Sequence, residues 1–164
     1  MAVTCVGPGP GKHPAGTSRA EITSTIDPLP TFAKLAWTHA PRDRIIDGKD
    51  IWPILGGQPG AKSPHEAFYY YQMDQLQALR SGKWKLHLPR PAEPPWCPKW
   101  APHIAPEDVI EITKPMLFNL EDDIGETTNV AGANSDTVKK LIEMAQWARD
   151  DIGDYNRIGR NARF

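Results

Sequence analysis

Cysteine, net charge and long apolar runs are all scarce in this sequence, and each shortage narrows what the chain can be. Two cysteines, Cys5 and Cys97, cannot make a disulfide framework; they can form one bridge or stay as free thiols. A formal net charge of -1 and a pI near 6.5 remove any general electrostatic attraction to nucleic acid or anionic lipid. No apolar run approaches the roughly 20 residues needed to cross a bilayer. The opening stretch MAVTCVGPGPGKHPAG has neither a basic leader nor a hydrophobic segment, so it does not read as an export signal. Among the five histidines (His13, His39, His65, His87 and His103) there is no HExxH, and neither cysteine forms CxxC. A metal site built by this chain alone is not expected. GPGPGK, Gly7 to Lys12, lacks the GK[ST] ending of a phosphate loop, and its prolines remove the amides that would cradle phosphate.

Proline is abundant. Seventeen prolines in 164 residues, about twice ordinary usage, predict a loop-heavy chain. Residues 1–20 show no periodicity and read as extended. From Asp27 the pattern turns helical, with Asp27 as cap, Pro28 in the first turn, and Leu29, Phe32, Ala33 and Ala36 at helical spacing. Pro41 ends any continuation. A short helical turn fits Ile51 to Leu55, before the breaker GGQPG.

Residues 67–88 read as β structure. In KWKLHL, Trp84, Leu86 and Leu88 point one way and Lys83, Lys85 and His87 the other, which predicts a strand with one buried and one wet face. Ser81 and Gly82 supply the tight turn before it. Residues 89–114 hold seven prolines, Trp96 and Trp100 without a sustained period, and predict a long loop. MLFNL, Met116 to Leu120, is a further strand. The clearest helix comes last, capped by Asn134 or Ser135, with Val138, Leu141, Ile142, Ala145, Ala148 and Ile152 on one stripe and Gly153 as its stop. The tail YNRIGRNARF reads as loose.

Little of this suggests chemistry by itself. The basic run ALRSGKWKLHLPRP sits on the solvent face of a hairpin in a slightly acidic chain, so it is not a nucleic-acid patch. Glu121 to Asp123 form a carboxylate cluster where a turn is the commoner reading. Ser63 and His65 are neighbours in sequence, which does not make a nucleophile and its base.

Several stretches, in one order, resemble the C-terminal region of type I sulfatases, the arylsulfatase A-like family. They are PGKHPAGT (Pro10 to Thr17), STIDPLPTFAKLA (Ser24 to Ala36), IDGKDIWPIL (Ile46 to Leu55), SPHEAFYYY (Ser63 to Tyr71), LQALRSGKWKLHL (Leu76 to Leu88) and LFNLEDDIGETTNVA (Leu117 to Ala131). The resemblance implies hydrolysis of sulfate esters, of carbohydrates in particular, by a formylglycine made within Cys/Ser-x-Pro-x-Arg, beside a calcium ion. It places those groups in a large domain upstream of the matching region. This chain has no Cys/Ser-x-Pro-x-Arg: Cys97 begins CPKW and Cys5 begins CVGPG. No catalytic residue and no cofactor of its own are therefore expected, with calcium belonging to the intact family enzyme.

The resemblance further implies an α+β fold, a small antiparallel sheet of about four strands with the last amphipathic helix packed on one face, and long Pro-rich loops. Residues 1–60 then trail from the catalytic domain, and residues 61–164 form the C-terminal subdomain. His65 and the loop Tyr71, Gln72, Asp74 and Gln75 become candidates for the substrate rim. The implied partners are the missing catalytic domain and a sulfated carbohydrate, with no nucleic acid and no membrane. A rival expectation is a stand-alone module docking on a separate partner protein. Family members are usually exported or lysosomal. Trp37 stands where the family generally ends its helix with glycine, a position favouring a left-handed backbone.

Overall fold

A computed structural model describes residues 18–91 and 111–163. Cys5, Cys97, His13, His103, Trp96, Trp100 and the GPGPGK run lie outside the described residues. The chain divides into two compact units, Met1–Glu66 and Ala67–Phe164.

The first unit is built on two short helices, α1 (Pro28–Leu35) and α2 (Trp52–Leu55). Proline at the start of each fixes φ and needs no hydrogen-bond acceptor there. Asp27 precedes α1 as expected, but its side chain does not cap the helix; it is turned to longer-range partners described below. The predicted apolar stripe is also not the buried face. Leu29 and Phe32 are 52% and 60% exposed, and the α1 side chain that is buried is Thr31. The helix ends in a Schellman pattern, with Thr38 N–H donating to Ala33 O at 2.9 Å and Trp37 N–H to Lys34 O at 3.1 Å. Trp37 occupies the left-handed position with φ of 57° and is 97% exposed. Gly48 in the IDGK stretch has a different necessity: a Cβ there would lie 2.2 Å from Ile26 O.

The second unit is the α+β arrangement the pattern predicts. Strands β1 (Phe68–Gln72), β2 (Gln75–Ser81), β3 (Trp84–His87) and β4 (Met116–Asn119) form an antiparallel sheet in that order. Leu79 opposes Leu86, and Leu86 opposes Leu117, so three side chains of 0% exposure make one row across the sheet. A register shift between Tyr70 and Tyr71 lets Leu76 and Leu79, three residues apart, both join this core. Helix α3 (Ser135–Asp151) covers the row with Leu141, Ala145 and Ala148. The two alanines let the helix approach the leucines closely.

The β2–β3 turn is one residue later than expected: Ser81 pairs with Trp84, and Gly82 with Lys83 makes the turn. Gly82 alone has positive φ, 54°, the sign pattern of a type II′ hairpin. Beyond β3, Arg90 and Ile112 exchange two backbone hydrogen bonds of 2.8 and 3.0 Å, closing the stem of the Pro-rich insertion. The tail is not loose. Gly153–Asp154 (β5) and Arg157–Ile158 (β6) form a small ribbon, and Asn161 Nδ2 donates to Asp151 Oδ1 at 2.6 Å. Gly159 allows this return, since a Cβ there would meet Ile152 and Asp151 backbone within 2.4 Å.

Candidate functional site

In the first unit the organising group is Asp27. Its fully buried carboxylate accepts Ser24 N–H at 2.7 Å, Lys49 N–H at 2.9 Å and a hydrogen bond with His65 Nε2 at 2.8 Å. Thr31 Oγ1 adds an acceptor for Ile51 N–H at 3.0 Å. Three of the sequence stretches, around Asp27, Gly48 and His65, thus converge on one carboxylate. His65 is held by that carboxylate, with its side chain 10% exposed. Ser63 and His65 are no nucleophile–base pair: Ser63 Oγ donates to Ile22 O at 2.6 Å and accepts His65 backbone N–H at 3.0 Å.

In the second unit the face of β3 expected to be wet is covered. Lys85 Nζ lies 2.5 Å from Glu126 Oε1, and His87 Nε2 lies 2.6 Å from Glu126 Oε2. Lys85 also sits 5.0 Å from the Tyr70 ring centroid, and His87 stacks edge-on against Phe118 at 5.6 Å. Glu126 reaches this position from a backbone with φ of 55°. Burial pushes its carboxyl upward, but the hydrogen bonds from Lys85 and His87 win and hold it below the ordinary range. Burial is also the main influence on His87, driving its ring below the usual histidine value against the pull of Glu126. The basic run is therefore a satisfied internal cluster on this face. Asp123 is a turn former, accepting Thr127 and Thr128 N–H at 2.8 Å each.

The stretch Tyr71 to Gln75 is not one loop. Tyr71 and Gln72 end β1, Gln75 begins β2, and Met73 with Asp74 make the turn. Met73 has φ of 54°, an uncommon conformation for a non-glycine residue. Tyr71 and Asp74 line one shallow groove of about 520 Å³ against the β5–β6 ribbon. Tyr71 gives its hydroxyl to Gly153 O at 2.9 Å, and burial first, then Asp154, pushes its pKa up to about 12. It remains a neutral phenol tying β1 to the ribbon. Gln72 and Asp74 are exposed, whereas Gln75 is buried and lines a second cavity that shares ribbon residues with the first. His65 belongs to the first unit.

The ribbon was missed in the sequence although GDYNRIG carries a signal for it, a quartet rich in turn formers between two glycines. Its key side chain is Asp154, which accepts Leu76 N–H at 3.1 Å, Tyr155 N–H at 2.9 Å and Arg149 Nε at 2.6 Å. Among the described residues no group of three or more His, Cys, Asp or Glu side chains is arranged to hold a metal ion.

The second unit is a sheet of four antiparallel strands under one long helix, and in the first unit three stretches converge on the buried Asp27. The model of the C-terminal region of aryl-sulfatase matches residues 63–156, more than half of the chain, and the chain belongs to that family. It is 35% identical over 143 residues to the steryl-sulfatase of Mus musculus, covering 77% of this chain and 22% of that protein. It is 35% identical over 133 residues to arylsulfatase D of Homo sapiens, covering 71% of this chain and 21% of that protein. An arylsulfatase of Hemicentrotus pulcherrimus is 44% identical over 79 residues, 48% of this chain and 14% of that protein. The chain thus spans only about a seventh to a quarter of the curated relatives it matches. Among solved structures, Ps i-CgsB superposes with a TM-score of 0.58 at 23% identity, over 85% of this chain and 27% of that one. The PsFucS1 sulfatase from Pseudoalteromonas sp. gives 0.54 at 19% identity, over 71% and 23%. These two likenesses speak to the fold alone.

Proposed function

We propose that this chain is the C-terminal portion of a sulfatase whose sulfate-ester chemistry is carried by polypeptide outside these 164 residues. The observation that carries the reading is a pairing: the family match over residues 63–156 and a sequence without Cys/Ser-x-Pro-x-Arg. In this reading residues 1–60 are the trailing segment of the catalytic domain and residues 61–164 the C-terminal subdomain. The role of the chain is to support that domain and furnish part of the rim for a sulfated carbohydrate. His65, fixed by Asp27, and Gln72 and Asp74, exposed at the end of the β1–β2 hairpin, are the rim candidates. Tyr71 and Gln75, the remaining rim candidates, flank the turn of that hairpin. Calcium would serve the intact enzyme, beside the formylglycine.

A second reading, a free-standing module docking on a separately encoded partner, draws on one observation. Ile26, Leu29, Phe32 and Trp37 leave 49%, 52%, 60% and 97% of their surfaces exposed around α1. Both readings require this apolar surface to be covered, by the catalytic domain in the first and by another protein in the second. The purified chain, assayed with an aryl sulfate and calcium, is expected to give no turnover; measurable turnover overturns the proposal. Recovery of a stoichiometric partner unrelated to sulfatases would favour the module.

A further inference from the structure

We propose that the cavity between the start of β2, the end of α3 and the β5–β6 ribbon is a subsite for a single neutral sugar ring. Its volume of about 280 Å³ lies at the small end of ligand sites, room for one ring and not for a long chain. Gln75, Gln146, Arg149, Tyr155, Asn156 and Arg157 line it, all within the second unit.

The charges of this lining cancel locally. Arg149 is paired with Asp154 at 2.6 Å and Arg157 with Asp150 at 3.1 Å, so an entering anion would meet a carboxylate beside each guanidinium. What remains is a set of planar groups that both donate and accept. The hydroxyls around a sugar ring do the same, whereas a sulfate only accepts. The frame is set in advance: Asp154 is 9% exposed with three donors upon it, so Arg149 needs no rearrangement to receive a ligand.

Gln75 supplies the second line of reasoning. It is 2% exposed, and its Oε1 accepts from Gln77 Nε2 at 3.3 Å. Its own amide N–H2 donates to nothing among the described residues. A buried donor without an acceptor is uncommon, and this one belongs to a side chain lining a cavity. A sugar hydroxyl answers it. Tyr155, 40% exposed, offers a ring face to the apolar C–H side of a pyranose. This chemistry stands on the cavity itself, whether or not the chain serves a sulfatase.

The test is a titration of the full chain with galactose, glucose, N-acetylgalactosamine and N-acetylglucosamine, followed by amide-resolved NMR. Galactose 6-sulfate and inorganic sulfate are the counter-probes. At least one neutral sugar should shift the Gln75 side-chain amide together with Tyr155 and Asn156, and molar salt should leave the affinity unchanged. Tyr155→Ala and Asn156→Ala should each weaken binding, Tyr155→Ala by about tenfold, with spectral dispersion retained. Four results overturn the proposal: no shifts with any neutral sugar, shifts confined to other surfaces, binding indifferent to both variants, or tighter, salt-sensitive binding of sulfate. Because no turnover is measured, such a failure leaves the sulfatase reading to its own assay.

Discussion

The two units are held together by different physics. Residues 67–163 rest on an apolar row, Leu79, Leu86 and Leu117, which α3 seals with Leu141 and two alanines. Among its described residues the first unit shows no such row: Ile22, Ile51 and Ile54 are buried, but its segments meet at the Asp27 carboxylate and the Thr31 hydroxyl, both fully buried. An apolar core tolerates small changes of shape, because dispersion and area vary gradually. A carboxylate with three donors is far less forgiving, since removing it strands every donor at once. The first unit should therefore be the more brittle at a single atom, and the second the more robust.

Asp27→Ala puts that contrast to its hardest test. It should cost about 4 kcal/mol, from two stranded backbone donors and an unheld His65, read as accelerated amide exchange in residues 21–66. Leu86→Ala should cost about 3 kcal/mol by opening a cavity in the central row, seen as a lower urea midpoint for the sheet and α3. Equal losses of a few tenths of a kcal/mol in both variants would erase the distinction.

Within the second unit, Glu126→Gln should cost about 2 kcal/mol at neutral pH by weakening its bonds to Lys85 and His87. It should also remove the carboxyl's own part of the acid limb of stability. The folded state holds Glu126 below its ordinary 4.5, so its contribution is present above that pH and lost as pH falls through the folded pKa. His87 is held below its ordinary 6.5, so the unfolded chain takes up that proton first and stability falls below that pH as well. Both groups make acid destabilising, but Glu126 is also what pulls the His87 ring upward, so urea titrations between neutral pH and pH 5 should show a steeper decline in the variant. The smallest effect runs the other way: Trp37→Gly should gain about 1 kcal/mol by removing a Cβ from a left-handed backbone.

How much of this was legible follows from the range of each interaction. The alternation of KWKLHL and the stripe of α3 are local periods, and the strand and the helix follow them to within a residue or two. Trp37 in a left-handed position was readable because one residue type is at odds with one backbone angle. The covered face of β3 was not readable: Lys85 and His87 look solvated until Glu126, some 40 residues on, is placed over them. Asp27 misled for the same reason, since its partners Lys49 and His65 are 22 and 38 residues away and nothing nearby announces them. The loop read at Tyr71 to Gln75 is a two-residue turn, so neighbours in that stretch differ in exposure from Gln72 and Asp74 to the buried Gln75.

The paired bonds between Arg90 and Ile112 carry a consequence for insertions. They weld the two ends of the excursion to the sheet, so the sheet experiences the same boundary whatever is spliced in between. Lengthening a closed excursion costs little, about 0.6 kcal/mol per doubling. A segment inserted between Arg90 and Ile112 should therefore leave the hydrogen bonds of the four-stranded sheet as they are.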